Sequence, residues 1–250
     1  MRGRTVLPAV RAGVAGPDPA TARALLARAL VPSEGPWRVG WWEGCDAGVI
    51  YAGESVARAE YDGPDALADE LRVVAAKARD KGEGAALCGA HFRGERRTLA
   101  ELEFWGAVQL DCEPPKGSPE VCTPLGMGWG ILGDVLPVDA VAHPSPSAVH
   151  EGPDGGDAVR WRAWVRVAPV AGDGRGVDPW ARVGADALRW CLAHLGVAPL
   201  DPSPLAPQSV GWVHPRGGRG LAPEAVRARA TGRGVDLAAL AAVAVEAGGG

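Results

Sequence analysis

Asp111 and Glu113 form an i, i+2 acidic pair that closes an apolar run, Phe104-Trp-Gly-Ala-Val-Gln-Leu110. On a strand, alternate residues share a face, so both carboxylates leave the core on the same side. Two such carboxylates suit a hard divalent cation, Mg²⁺ or Mn²⁺, which takes oxygen ligands and shares them with substrate phosphates. Solvated acids at a strand end give the same pattern. A third acid, Asp201, follows a helix and precedes a short strand, where it could close a cation site from a neighbouring element; Asp-Pro also opens ordinary turns. The alternation from Val159 to Val170 sets Arg160, Arg162, Trp164 and Arg166 on one face and Trp161, Ala163, Val165 and Val167 on the other. The second face is predicted to be the buried one. The first could grip phosphates beside an aromatic ring, or be a solvated sheet face. Ser145, Ser147 and His150 fall in a loop after a strand, where hydroxyls and an imidazole could contact a triphosphate. His91 with Arg93, Arg96 and Arg97 makes a basic loop ahead of the acidic strand, a candidate template or phosphate contact.

These residues need elements to position them. Asp18 caps a helix with Pro19 at its first position, and the Ala/Leu pattern predicts that it runs to about Val31. Residues 36–60 carry Trp37, Trp41, Trp42, Val49, Ile50 and Tyr51 among glycines, which reads as short strands or a hairpin. Asp62-Gly-Pro64 starts an amphipathic helix through Leu67, Leu71 and Val74, expected to reach Gly82. The Phe104–Leu110 run is too short and too sharply ended for a helix, and is predicted as a buried strand. A short helix over 125–136, a strand over 138–143 and an acidic glycine-rich turn over 151–157 follow. Asp178-Pro179 caps the clearest helix, which Gly196 stops. Ser209–His214 is a last strand. The Arg/Gly/Ala-rich remainder, with one short helix, is expected to be a linker or frayed end. The mixture predicts an α+β fold, or α/β with a mixed sheet.

The chain has 250 residues, enough for one large core. Gly 36 and Pro 22 together imply many loops and short elements. A net charge of −4 argues against a uniformly basic coat for nucleic acid, though it leaves room for a local basic face. Arginines far outnumber the three lysines and asparagine is missing, a coding bias that makes arginine content uninformative by itself. No apolar run is long enough to span a bilayer, and the N-terminus has no signal-peptide core, which predicts a cytoplasmic protein without a membrane partner. The five scattered cysteines make no C-x-x-C pair and read as small apolar fillers.

Order and spacing then carry a resemblance. His91-Phe-Arg-Gly-Glu-Arg96-Arg97, Leu110-Asp111-Cys-Glu113, the serine-rich loop at 145–150, Arg160-Trp-Arg162 and Leu200-Asp201-Pro-Ser follow one another as motifs do in the archaeo-eukaryotic primase superfamily. The chain resembles the catalytic domain of its plasmid and phage primase-polymerases over roughly residues 37–216. That resemblance implies a primase catalytic core with a palm like the RNA-recognition motif and an N-terminal α/β module. It divides the chain into residues 1–35 (helix and loose segment), 36–216 (catalytic domain) and 217–250 (tail or linker).

The implied activity is that of a DNA primase or template-directed DNA polymerase, a nucleotidyltransferase replicating a plasmid, phage or other mobile element. Asp111, Glu113 and Asp201 would be catalytic Mg²⁺ or Mn²⁺ ligands. Ser145, Ser147, His150, Arg160 and Arg162 would bind the nucleotide, and His91, Arg93, Arg96, Arg97 and Arg166 would bind nucleic acid. Nucleoside triphosphates and single-stranded DNA are the implied partners; no Gly-x-x-x-x-Gly-Lys-Ser/Thr loop occurs, so a replicative helicase, if needed, would be a separate protein or a missing C-terminal part. Two positions depart from the family pattern: its Ser-x-His is here Ser145-Pro-Ser147-Ala-Val-His150, and where it usually places an arginine just after the motif of the third acid, this chain has Gln208-Ser-Val210. The alternatives are a module of the same fold that binds single-stranded DNA without synthesis, and a metal-dependent nuclease.

Overall fold

The computed structural model describes residues 18–42, 57–77, 85–113, 123–145, 160–197, 200–201, 206–213 and 223–248. Asp18 caps helix α1 (Pro19–Arg28), accepting hydrogen bonds from the Ala20 and Thr21 amides at 2.9 and 3.1 Å. The helix stops short of Val31, which is held extended by the proline after it. Leu30–Pro32 instead form strand β1. Two antiparallel partners, β2 (Trp37–Trp42) and β3 (Ala57–Tyr61), follow as the expected hairpin-like pair. Helix α2 (Pro64–Ala75) buries Leu67, Ala68, Leu71 and Val74, the amphipathic face anticipated, and turns at Ala76 instead of continuing towards Gly82.

Strands β4 (Ala86–Cys88), β5 (Ala90–Phe92) and β6 (Leu102–Cys112) come next, β6 being the long buried strand read from the sequence. Helix α3 (Leu125–Val135), strand β7 (Ala140–Pro144) and strand β8 (Trp161–Ala171) lead to helix α4 (Pro179–His194). Asp178 caps α4, and Gly196, in the left-handed region at φ 85°, ends it. The chain closes with β9 (Val210–Trp212), β10 (Arg227–Arg229), β11 (Arg233–Val235) and helix α5 (Leu237–Gly248).

The result is mixed α+β with two open sheets. The larger has the order β1-β11-β8-β6-β5, with β7 on the same edge of β8 as β11 and β10 beyond β7. All its described pairings are antiparallel except β11 with β8. The smaller sheet, β3-β2-β4-β9, is antiparallel throughout. Leu110, Trp161 and Val165 of the large sheet pack with Leu26, Leu188, Leu192 and Leu240 of α1, α4 and α5. Trp164 and Val141, on the opposite face, pack with Trp37, Trp41 and Leu87 of the small sheet and Leu67 and Leu71 of α2. Among the described residues, no helix is long and apolar enough to cross a membrane.

Two expectations need correction. Strand β8 is not one-sided: Trp164 and Arg166 are buried as well as Val165, because the small sheet and the turn before β2 cover the face expected to grip phosphates or meet solvent. Nor is the region after residue 216 a free tail where it is described. Residues 233–235 pair with both β1 and β8, and Leu237, Leu240 and Ala241 of α5 are fully buried. Helix α5 is apolar almost all round, yet it buries one face, with Leu237, Leu240, Ala241 and Val243 inside and Ala238, Ala242 and Val245 exposed. Its first carbonyl sits so close to Gly184 of α4 that a Cβ there would collide with it.

Candidate active site

Register assembles the site. His143 lies opposite Arg162, Arg162 opposite Asp111, and Asp111 opposite Asp201, the last through an isolated antiparallel bridge in which the Asp201 amide donates to the Asp111 carbonyl at 2.8 Å. Directly opposed residues in antiparallel strands project to the same face. A row of His143, Arg162, Asp111 and Asp201 therefore crosses three elements of the large sheet and its margin. One strand repeat outward, Arg160 and Glu113 share that face, and the Ser145 amide donates to the Arg160 carbonyl at 2.9 Å. One repeat inward lie Trp164 and Gln109, register partners beneath β9.

Ion pairs fill the row. Arg162 places Nε and Nη2 each 3.0 Å from Oδ2 of Asp111, and its Nη1 donates to the Trp212 carbonyl at 3.3 Å. Arg160 Nη1 reaches Oε1 of Glu113 at 2.9 Å. Asp111 is only 6% exposed. Burial pushes its carboxyl above the ordinary value, Arg162 pulls it down, and the nearby Glu113 and Asp201 carboxylates push it up again.

The donor set is of the type a hard divalent cation takes: three carboxylates lie near one sheet end, and Oδ1 of Asp111 is a buried acceptor with no hydrogen-bond partner among the described residues. Among the described residues no three His, Cys, Asp or Glu side chains are gathered tightly enough to hold an ion as they stand. Two of the three acids are drawn instead onto arginines.

The remaining predicted site residues divide. Ser145 is fully buried beside Arg160, while Ser147 and His150 lie outside the described residues. Arg93 and Arg96 are exposed; Arg93 donates to the Gly172 carbonyl at 3.3 Å. Arg97 is half-buried and donates to the Gln208 carbonyl at 2.7 Å, tying the basic loop to the segment that enters β9.

Two members of the expected nucleic-acid-binding set sit inside the fold. His91 is 3% exposed, with Nε2 2.8 Å from the Val39 carbonyl and its ring 4.6 Å from that of Phe104. Burial holds its pKa below the ordinary imidazole value. Arg166 is 6% exposed, pairs with Asp139 at 3.4 Å and donates to the carbonyls of Glu34, Gly35 and Pro36. Its guanidinium anchors the turn before β2, and Asp139 in turn accepts the Thr231 and Gly232 amides at 2.8 Å.

His143 and Gln109, by contrast, join the site face without having been picked out from the sequence. The only available signal was His143 at the end of a strand directly before Pro144-Ser145. Compared with known proteins, the chain matches no family model, no curated sequence and no solved structure.

Proposed function

We propose that this chain is a metal-dependent nucleotidyltransferase of the primase-polymerase kind, making or extending primers on single-stranded DNA from nucleoside triphosphates. The observation that carries the reading is the bridge between Asp111 and Asp201, which sets a distant third acid beside the Asp111–Glu113 pair. The antiparallel β5-β6-β8-β7 core, backed on one face by α1, α4 and α5, would serve as the palm.

In such a site the divalent ion supplies charge neutralisation and a more acidic 3′ hydroxyl. Asp111, Glu113 and Asp201 would hold it. Arg162 and Arg160, leaving the neighbouring strand on the same face, would take up negative charge on the triphosphate, where fixed guanidiniums are most effective in a partly dehydrated setting. Ser145, buried at the end of β7, would help fix the backbone of Arg160. Exposed Arg93 and Arg96 offer template phosphates a contact that carries no sequence information.

The test is a gel assay with Mg²⁺ or Mn²⁺, single-stranded template with and without a labelled primer, and all dNTPs and NTPs. Wild type should lengthen or create primers, and the Asp111→Ala/Glu113→Ala double variant should not. If wild type yields no product while both proteins bind single-stranded DNA alike, the chain is a binding module. Shortened primers would make it a nuclease.

A further inference from the structure

The acids and arginines at the sheet end are matched by the backbone. Asp111 and Glu113 leave β6 two residues apart, Arg162 and Arg160 leave β8 two residues apart, and the Asp111–Arg162 and Cys112–Trp161 register partners place each acid opposite one arginine. Oδ2 of Asp111 is held by two nitrogens of one guanidinium and Oε1 of Glu113 by another. A cation entering this site meets one oxygen of each of these acids already bonded, Oδ2 of Asp111 and Oε1 of Glu113, and must take them from the arginines to use both carboxylates fully. Displacing Arg162, whose side chain is 12% exposed, would strand a guanidinium in a place with little water to receive it. An arriving phosphate chain faces the converse obstacle, because the arginines are engaged by carboxylates.

Resting on the reading of these acids as cation ligands, we propose that the Asp111–Arg162 and Glu113–Arg160 pairs form a latch that couples the two ligands. A divalent cation takes the carboxylates and a polyphosphate takes the guanidiniums, so each ligand opens the site to the other. Coupling of this kind is reciprocal and typically amounts to about 5- to 150-fold in affinity. Either ligand alone binds weakly, and the pair binds together.

The test uses the full chain, with each ligand alone so that chelation in solution plays no part. Mn²⁺ binding is followed by electron paramagnetic resonance, and inorganic tripolyphosphate binding by calorimetry with chelator present. Both run in roughly 0.5 M salt, where fields beyond a few ångströms are screened. Near-ultraviolet circular dichroism establishes that each variant is folded.

Arg160→Gln should bind Mn²⁺ about fivefold more tightly and tripolyphosphate about fivefold more weakly than wild type. Glu113→Gln should do the reverse, and it stands as an independent arm should Arg160→Gln fail to fold. Arg93→Gln, which removes the same charge elsewhere, should change neither affinity.

If Mn²⁺ binds wild type and Arg160→Gln equally, or if Glu113→Gln leaves tripolyphosphate binding unchanged, the latch is overturned while the cation site stands. If Mn²⁺ binds none of these proteins, the cation site and the latch fall together.

Discussion

Gly211 of β9 lies flat against the indole of Trp164: a Cβ at that position would sit 2.8 Å from Cζ2, and 3.4 Å from Cδ of Arg162. The small sheet reaches the site face only because this strand carries no side chain there. Gly211→Ala should destabilise the protein by about 1–3 kcal/mol, the usual cost of overpacking a filled core. Urea unfolding reads it, and an unchanged midpoint would mean that β9 does not seat on Trp164.

Arg162 and Asp111 form a buried pair, with side chains 12% and 8% exposed. Arg162→Leu leaves a buried carboxylate without its cation, and should cost about 3–5 kcal/mol. The double variant Arg162→Leu/Asp111→Leu should be markedly less destabilised than that single change, since both charges leave together. A double-mutant cycle by chemical denaturation measures the difference, and simple additivity would contradict a direct pairing.

Leu240 of α5 is fully buried against the helical layer. Leu240→Ala should cost about 2–5 kcal/mol, as for other buried leucines. A loose tail would tolerate the change with no shift in the unfolding midpoint.

Stability should fall on mild acidification, with His91 as one cause. Burial is the largest influence lowering its pKa; the Val39 carbonyl and Glu103 oppose this and Arg58 adds to it. As pH drops through 6.5, the unfolded chain takes up a proton that the folded chain refuses, so stability is lost until the folded pKa is passed. At higher pH the contribution is fully present. Unfolding midpoints between about pH 7.5 and about pH 5.5 should decline less steeply for His91→Gln than for wild type, and parallel slopes would clear His91 of the effect.

Local chemistry made several of these elements readable. Asp18-Pro19 and Asp178-Pro179 announce helix starts through side-chain capping, and the short apolar run Phe104–Leu110 announces a buried strand whose end carries Asp111 and Glu113. What escaped depends on partners far along the chain. Three-residue strands such as β1 and β11 are too short to show a period; β11 exists as a strand because β1 and the long β8 pair with it. Arg166 and His91 look like surface residues by type; only Asp139, the carbonyls of residues 34–36 and the Val39 carbonyl give them reason to be buried. His143 gains its place beside Arg162 solely from register, which the sequence of β7 does not contain.

The pairing of Leu30 with Val235 joins segments from opposite ends of the sequence. Closing so long a loop is entropically unfavourable and predicts slow folding for its size. During synthesis α1 emerges first, yet its packing partners α4 and α5 come much later, and β8 lacks its β11 neighbour until Arg233–Val235 leave the ribosome. A nascent chain thus carries every acid and arginine of the candidate site before it has the strand and helix that complete the sheet beneath them.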